Sequence, residues 1–232
     1  MEAGTAGLSL NPAFLARRSQ SRPQAGPPEA VEELRQAEQL CQERRFREAL
    51  GVLNRVVLAE PRNPMGWTLV ARAHCGRGEH AEALTAARTA AQHTCDSEPL
   101  RMATAALVAL ERHAEAAEQA AQAVRREPQD WRNHVEQARA LVNLPDRIAE
   151  ARAAARAAVN IAPHKVTPHL VAGQVELAAG EVELAARAFR QVFTIDPANP
   201  AAYNELARLH LHGASESRSA RWPLPRARRR TR

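Results

Sequence analysis

The stretch PMGWTLVARAHCGRGEHAEALTAARTAAQHTCDS, residues 64–97, contains two helix-period patterns separated by a short turn. In the first half, Trp67, Ala71 and His74 lie three or four residues apart, so a helix would place them on one face. In the second half, small and apolar residues recur at the same spacing after the turn Gly76-Arg77-Gly78-Glu79. Because glycine favours turns and helix ends, the stretch predicts a helix–turn–helix unit of 34 residues.

The same unit recurs along the chain. Its ends fall at Pro61, Cys95, Pro128, Pro163 and Pro197, which are 34, 33, 35 and 34 residues apart. Upstream of each end, a small residue is followed by apolar residues four and seven positions later, as in Ala49, Leu53 and Val56. Because proline interrupts an α-helix, we expect an amphipathic helix to stop at each unit end that carries one. The periodic region covers about four-fifths of the chain.

A period of 34 residues with an aromatic residue at position 4, small residues at positions 8 and 20 and proline at position 32 resembles the tetratricopeptide repeat. In this register the units are residues 30–63, 64–97, 97–130, 131–165 and 166–199, followed by one further helix from Pro200. The resemblance implies an all-α, right-handed solenoid of about five helix–turn–helix repeats plus a terminal helix.

The register also assigns the packing residues, because small side chains at positions 8 and 20 let the two helices of a unit approach each other. The packing residues are Ala37, Ala71 and Gly173 at position 8, Ala49, Ala83, Ala116 and Ala185 at position 20, Trp67 and Tyr203 at position 4, and Phe189 at position 24. Some units depart from the pattern. Position 4 holds His169 in the fifth unit, Leu110-Glu111-Arg112 replaces the glycine turn of the third, and the fourth has one extra residue near Pro145.

The resemblance implies that the first helices line a concave face that binds a partner. The groove residues carried over are Arg72, Arg101, Arg139, Gln174 and Arg208, together with Leu34, Val135 and Leu170. Guanidinium groups among aliphatic side chains suit a peptide with acidic groups or a free carboxylate. The alternative is that these arginines are solvated or pair with neighbouring glutamates. We therefore expect a non-enzymatic protein–protein interaction scaffold.

The net charge of +6 comes from 32 basic and 26 acidic residues, and its location matters more than its size. Residues 29–212 carry 22 basic and 24 acidic side chains, whereas residues 213–232 carry seven arginines and one glutamate. We expect a disordered segment over residues 1–28, the solenoid over 29–212 and a basic disordered tail over 213–232. The alternative function is an adaptor for nucleic acid or an anionic membrane that acts through this tail.

No catalytic, metal or cofactor motif can be assembled from the sequence. His80 and His113 share one repeat position, as Cys41 and Cys75 share another, which favours packing roles for all four. Three cysteines cannot all pair, so a reduced, cytoplasmic location is expected. The last helix is either a solvating cap or a sixth repeat cut short, as in a truncated longer protein. A shortened repeat would expose an apolar edge and favour self-association.

Overall fold

The computed structural model describes residues 28–213, which form helices throughout and no strand. The eleven α-helices are α1 Pro28–Gln42, α2 Phe46–Ala59, α3 Pro64–Arg77, α4 His80–Ala91, α5 Glu98–Ala109, α6 His113–Arg126, α7 Trp131–Leu141, α8 Ile148–Ile161, α9 Val166–Ala178, α10 Val182–Ile195 and α11 Pro200–Gly213. Residues 1–27 of the predicted N-terminal segment and residues 214–232 of the basic tail lie outside the described residues, and Pro28 is the first residue of α1.

The helices pack as a solenoid with two layers. Each helix packs against its neighbours in the chain. The first helices of successive units also pack against each other, in the pairs α1–α3, α3–α5, α5–α7 and α7–α9. One layer of the solenoid therefore consists of first helices and the other of second helices, which confirms the predicted fold class.

The small residues at positions 8 and 20 lie where the two helices of a unit meet. Within the five units, the alanines at these positions are fully buried, namely Ala37, Ala49, Ala71, Ala83, Ala116, Ala138, Ala151 and Ala185. Gly173 lies against the ring of Phe189, which is itself fully buried. Close helix approach therefore depends on the absence of larger side chains at these points.

A leucine at one of these alanine positions should destabilise the array. We expect Ala116→Leu to lower the free energy of unfolding by about 1–3 kcal/mol, because the fully buried site has no room for three more carbons. Chemical denaturation measures the effect. Ala114→Leu, an exposed site on the same helix, should change stability by less than about 0.5 kcal/mol. Equal stabilities for the two variants would contradict the packing register of the third unit.

The turns inside four units use a residue in the left-handed region at the same repeat position. Arg44, Gly78, Glu111 and Gly180 have φ values of 61°, 80°, 60° and 79°. The sequence departure at Glu111 therefore changes the residue but keeps the turn conformation. The fourth unit instead contains the 3₁₀ turn Pro145–Arg147, which accommodates its extra residue.

Substitutions at two of these turn positions should change the free energy of unfolding in opposite directions. Glu111→Gly should raise the free energy of unfolding by about 1 kcal/mol, because a left-handed conformation is costly for residues other than glycine. Gly180→Ala should lower it by a similar amount, and since an added Cβ would touch nothing, the backbone alone is responsible. Thermal denaturation of both single variants tests the pair. A loss of stability in Glu111→Gly would contradict it.

Position 4 carries a repeated hydrogen bond that explains the histidine at this position. The ring nitrogens Nε1 of Trp67 and Nε2 of His169 each lie 2.8 Å from the carbonyl oxygen of the proline six residues earlier, Pro61 and Pro163. Nε2 of His134 makes the same contact to Pro128 at 2.9 Å. A carbonyl only accepts, so the ring N–H donates in each case. His169 thus keeps the function of the aromatic residue that it replaces.

Candidate partner-binding face

The first helices form one layer of the solenoid, and position 9 of the register recurs along it. Arg72 lies there on α3, Arg139 on α7, Gln174 on α9 and Arg208 on α11. Since successive first helices pack against each other from α1 to α9, the first three of these side chains follow one connected surface. We call the surface formed by position 9 of the first helices, from Glu38 on α1 to Arg208 on α11, the inner face.

Arg72 connects three first helices by ion pairs. Its guanidinium contacts the carboxylate of Glu98 at the start of α5, and it lies 3.8 Å from Glu38 on α1. The side chain of Arg72 is 35% exposed, so part of the guanidinium still faces solvent. The residue therefore stabilises the stacking of units and also offers positive charge at the surface.

Arg101 forms a buried ion pair between α5 and α7. Its Nη1 donates to Asp130 over 2.8 Å, and the two side chains are only 9% and 11% exposed. Asp130 also accepts from the backbone N–H of Arg132 and so caps α7. Burial alone would raise the pKa of Asp130, but hydrogen bonds from Arg132 and the charge of Arg101 hold it below its usual range. A pair this buried is accessible to a partner only at its edge.

Arg139 and Arg208 each pair with the glutamate three residues earlier on the same helix. Arg139 donates to Glu136 over 2.8 Å and Arg208 to Glu205 over 3.2 Å. Both arginines are exposed, at 45% and 69%, whereas their glutamates are mostly buried. Each pair uses one N–H of a guanidinium that carries five, so further donors remain for another acceptor.

Glu136 is a mostly buried carboxylate that pairs with Arg139. Burial raises its pKa above the usual range, although the charge and hydrogen bond of Arg139 and the charge of Arg101 oppose the effect. The folded protein therefore retains a proton on this group at pH values where the unfolded chain has lost it. Stability must then fall as the pH rises from the usual range of glutamate through the raised pKa.

Glu136→Gln should remove this pH dependence. We expect the variant to match the wild type at low pH, where both side chains are neutral, and to be more stable than the wild type above the raised pKa. Urea denaturation at a series of pH values measures the difference. Glu118→Gln, an exposed site on α6, should leave the shape of the profile unchanged. A profile for Glu136→Gln parallel to that of the wild type would contradict the effect of burial.

The remaining groove residues predicted from the register differ in how much surface they offer. Gln174 is exposed on α9 and Leu170 is partly buried. Leu34 and Val135 are buried in the core, because their position on the first helix points toward the neighbouring helices. They therefore support the inner face from below and contribute little of its surface.

The carboxylates that pair with these arginines are neighbours that sequence reasoning missed. The glutamates three residues before Arg139 and Arg208 follow the spacing of helical ion pairs and could have been found. Glu98 and Asp130 are 26 and 29 residues from their arginines, so finding them needs the stacking of neighbouring units. The predicted alternative, that these arginines pair with carboxylates, describes their geometry in the structure.

Other sites for chemistry are sparse in residues 28–213. No cluster of three or more histidine, cysteine, aspartate or glutamate side chains there could hold a metal ion. None of these helices is long and apolar enough to cross a membrane. Burial raises the pKa of the thiols of Cys41 and Cys75, which keeps both protonated at neutral pH.

The fold resembles solved tetratricopeptide repeat (TPR) structures of low sequence identity. TTC0263, a thermophilic TPR protein of Thermus thermophilus, aligns over 78% of this chain and 99% of its own with a TM-score of 0.69 and 19% identity. YrrB, a TPR protein with an unusual peptide-binding site, aligns over 84% and 98% with a TM-score of 0.57 and 17% identity. PilW, a type IV pilus biogenesis factor, aligns over 82% and 96% with a TM-score of 0.65 and 14% identity.

The comparison of sequences gives the family. No curated protein matches the chain. The sequence model of the tetratricopeptide repeat matches residues 28–98 and 170–220, which together are more than half of the chain. The unmatched middle contains the glutamate turn and the extra residue of the fourth unit, yet its helices stack like the others. The chain therefore belongs to the tetratricopeptide repeat family.

Proposed function

We propose that this protein is a non-enzymatic scaffold whose inner face binds an extended or helical segment of a partner protein that carries acidic groups. The TPR fold suggests a protein–protein interaction scaffold. The proposed groove binding rests on the recurrence of arginine at position 9 of the connected first helices, where Arg72 is partly exposed and Arg139 is exposed. The groups on this face are arginine–carboxylate pairs. In this proposal they bind the partner and catalyse no reaction.

The partner carboxylates bind by sharing guanidiniums that are already paired. Arg139 donates one N–H to Glu136, and its exposed edge can donate two parallel N–H groups to a second carboxylate. Arg72 offers an exposed edge in the same way. The internal glutamates lower the net charge of the face, so binding depends on the geometry of the donors more than on long-range attraction. A partner with acidic groups at matching spacing is therefore selected over a generally acidic one.

The repeat sets this spacing. Neighbouring first helices are separated by roughly 8–10 Å, so arginines two units apart lie roughly 16–20 Å from each other. An extended peptide rises about 3.3 Å per residue and covers this distance in about five or six residues. Between the two arginines lies the third unit, where Ala105 occupies position 9 and leaves room for an uncharged partner side chain. The preferred ligand thus has carboxylates about five or six residues apart.

A displayed library of random peptides tests this function. Peptides selected by the wild type should be enriched in aspartate and glutamate at that spacing. Their affinity, measured by fluorescence polarisation, should fall about tenfold or more when Arg72, Arg139 and Arg208 are all changed to Gln. The matched control changes Arg44, Arg47 and Arg156 to Gln, three exposed arginines away from the inner face, and removes the same charge. Unchanged affinity in the inner-face variant, or equal losses in both, would overturn the proposed function.

A further inference from the structure

Helix α11 presents an uncharged face to solvent. In the preceding units, the second helix of the unit covers the equivalent face of the first helix. Pro200, Tyr203 and Ala207 lie three or four residues apart on one side of α11, and all three are exposed. Ala207 occupies position 8, where Ala37 and Ala71 of earlier units are fully buried. Within the described residues, no helix follows α11. We call the surface formed by Pro200, Tyr203 and Ala207 the open face.

The open face is already shaped for a helix. Tyr203 is 57% exposed, although its ring lies 4.6 Å from that of Phe193 on α10 at an angle of 59°. This contact places the ring of Tyr203 against α10, and Ala207 follows about one turn later on the same side of α11. A bulky residue next to a small one is the arrangement by which two helices interlock.

The two ends of the solenoid differ in polarity. The outer side of α1 exposes Glu32, Gln36 and Gln39, whereas the open face of α11 contains no charged residue. Stacking the open face of one copy on α1 of another would take the exposed Arg35–Glu32 ion pair out of water against an uncharged surface, which costs free energy. Two open faces can meet without opposing like charges. The charge distribution therefore favours contact between identical ends.

We propose that the open face is the contact of a weak symmetric dimer of this chain. The two α11 helices run antiparallel across a two-fold axis, and Tyr203 of each copy packs over Ala207 of the other, as an isologous contact requires. The sequence of residues 214–232 contains Pro223 and Pro225, and proline disfavours the second helix that would pack on this face. One pair of helices buries less than the roughly 800 Å² per partner of a stable complex, so dimerisation depends on concentration.

The only tyrosine of the chain reports on this contact. In full-length protein with a ¹³C-labelled tyrosine ring, the Tyr203 signals should shift as the concentration rises from micromolar to several hundred micromolar. Over the same range, the mass from sedimentation velocity should rise from monomer toward dimer. Ala207→Glu should weaken dimerisation about tenfold or more, because it would bury two unpaired charges. Ala201→Glu, an exposed site on the other side of α11, should dimerise like the wild type.

Three results would overturn the dimer. The first is a monomeric mass for the wild type at every concentration, and the second is equal dimerisation of Ala207→Glu and the wild type. The third is dimerisation only after deletion of residues 214–232, which would show that this segment covers the open face. Circular dichroism should show native helix content in both glutamate variants, because both alanines are exposed. The inner face lies on another side of α11, so loss of peptide binding and loss of dimerisation are separable outcomes.

Discussion

Gly173→Ala should lower the free energy of unfolding by about 3 kcal/mol, at the upper end of the effects of overpacking. An added Cβ would lie 2.4 Å from the ring of Phe189, and this ring is fully buried and has no free space to move into. Alanine gains about 1 kcal/mol over glycine in helix propensity, which offsets only part of the clash. Chemical denaturation monitored by circular dichroism measures the net loss.

Gly51→Ala is the matched control, since Gly51 also lies inside a helix but an added Cβ there would touch nothing. It should raise stability by about 0.5–1 kcal/mol, the gain in helix propensity alone. The double variant Gly173→Ala/Phe189→Leu should lose less than the sum of its single changes, because the smaller leucine makes room for the methyl group. Additive losses would show that the contact with Phe189 is not the cause.

Arg101→Met should lower the free energy of unfolding by about 3 kcal/mol, because it leaves the carboxylate of Asp130 buried with only its contacts to Arg132. Methionine keeps most of the volume of the side chain, so loss of the ion pair dominates. Differential scanning calorimetry at neutral pH measures the change. At low pH, where Asp130 is protonated, the difference from the wild type should shrink, since the pKa of Asp130 lies below its usual range only in the folded protein.

Two further variants separate the buried charge from general effects of the substitution. Arg35→Met removes an exposed ion pair to Glu32 and should cost less than about 0.5 kcal/mol. Arg101→Met/Asp130→Asn should recover part of the lost stability, because asparagine caps a helix as well as aspartate does and carries no charge. Equal stability of the single and double variants would contradict a role for the unpaired charge.

The repeat period was sufficient to predict the solenoid, its helices and their close contacts, because backbone geometry and side-chain size act locally. Ala71 and Ala83, at positions 8 and 20 of the register, are fully buried, and Gly173 lies against the ring of Phe189. Tyr203 occupies the predicted aromatic position yet is exposed. Its burial requires a second helix after α11, and within residues 28–213 no such helix follows.

The chemistry of the inner face could be predicted only in part. The recurrence of arginines at position 9 was visible in the sequence, but their charges are shared with Glu98, Glu136 and other carboxylates. Which acid faces which base depends on how successive units stack, and the same period fits several stacking geometries. The burial of Arg101 depends on that stacking too, because the covering atoms come from the next unit.

The polar contacts between successive units have a consequence for how the array opens. Arg88–Glu115, Ser97–Glu127 and Arg152–Glu176 join residues 24–30 positions apart, as do the contacts of Arg72 and Arg101. In a linear array of repeats, such contacts couple the stability of each repeat to that of its neighbour. Strong coupling makes adjacent repeats unfold together. Amide exchange should therefore be slowest and most uniform from α3 to α9, while α11 frays independently. A bound partner segment would rest on a cooperative central block beside an end that opens on its own.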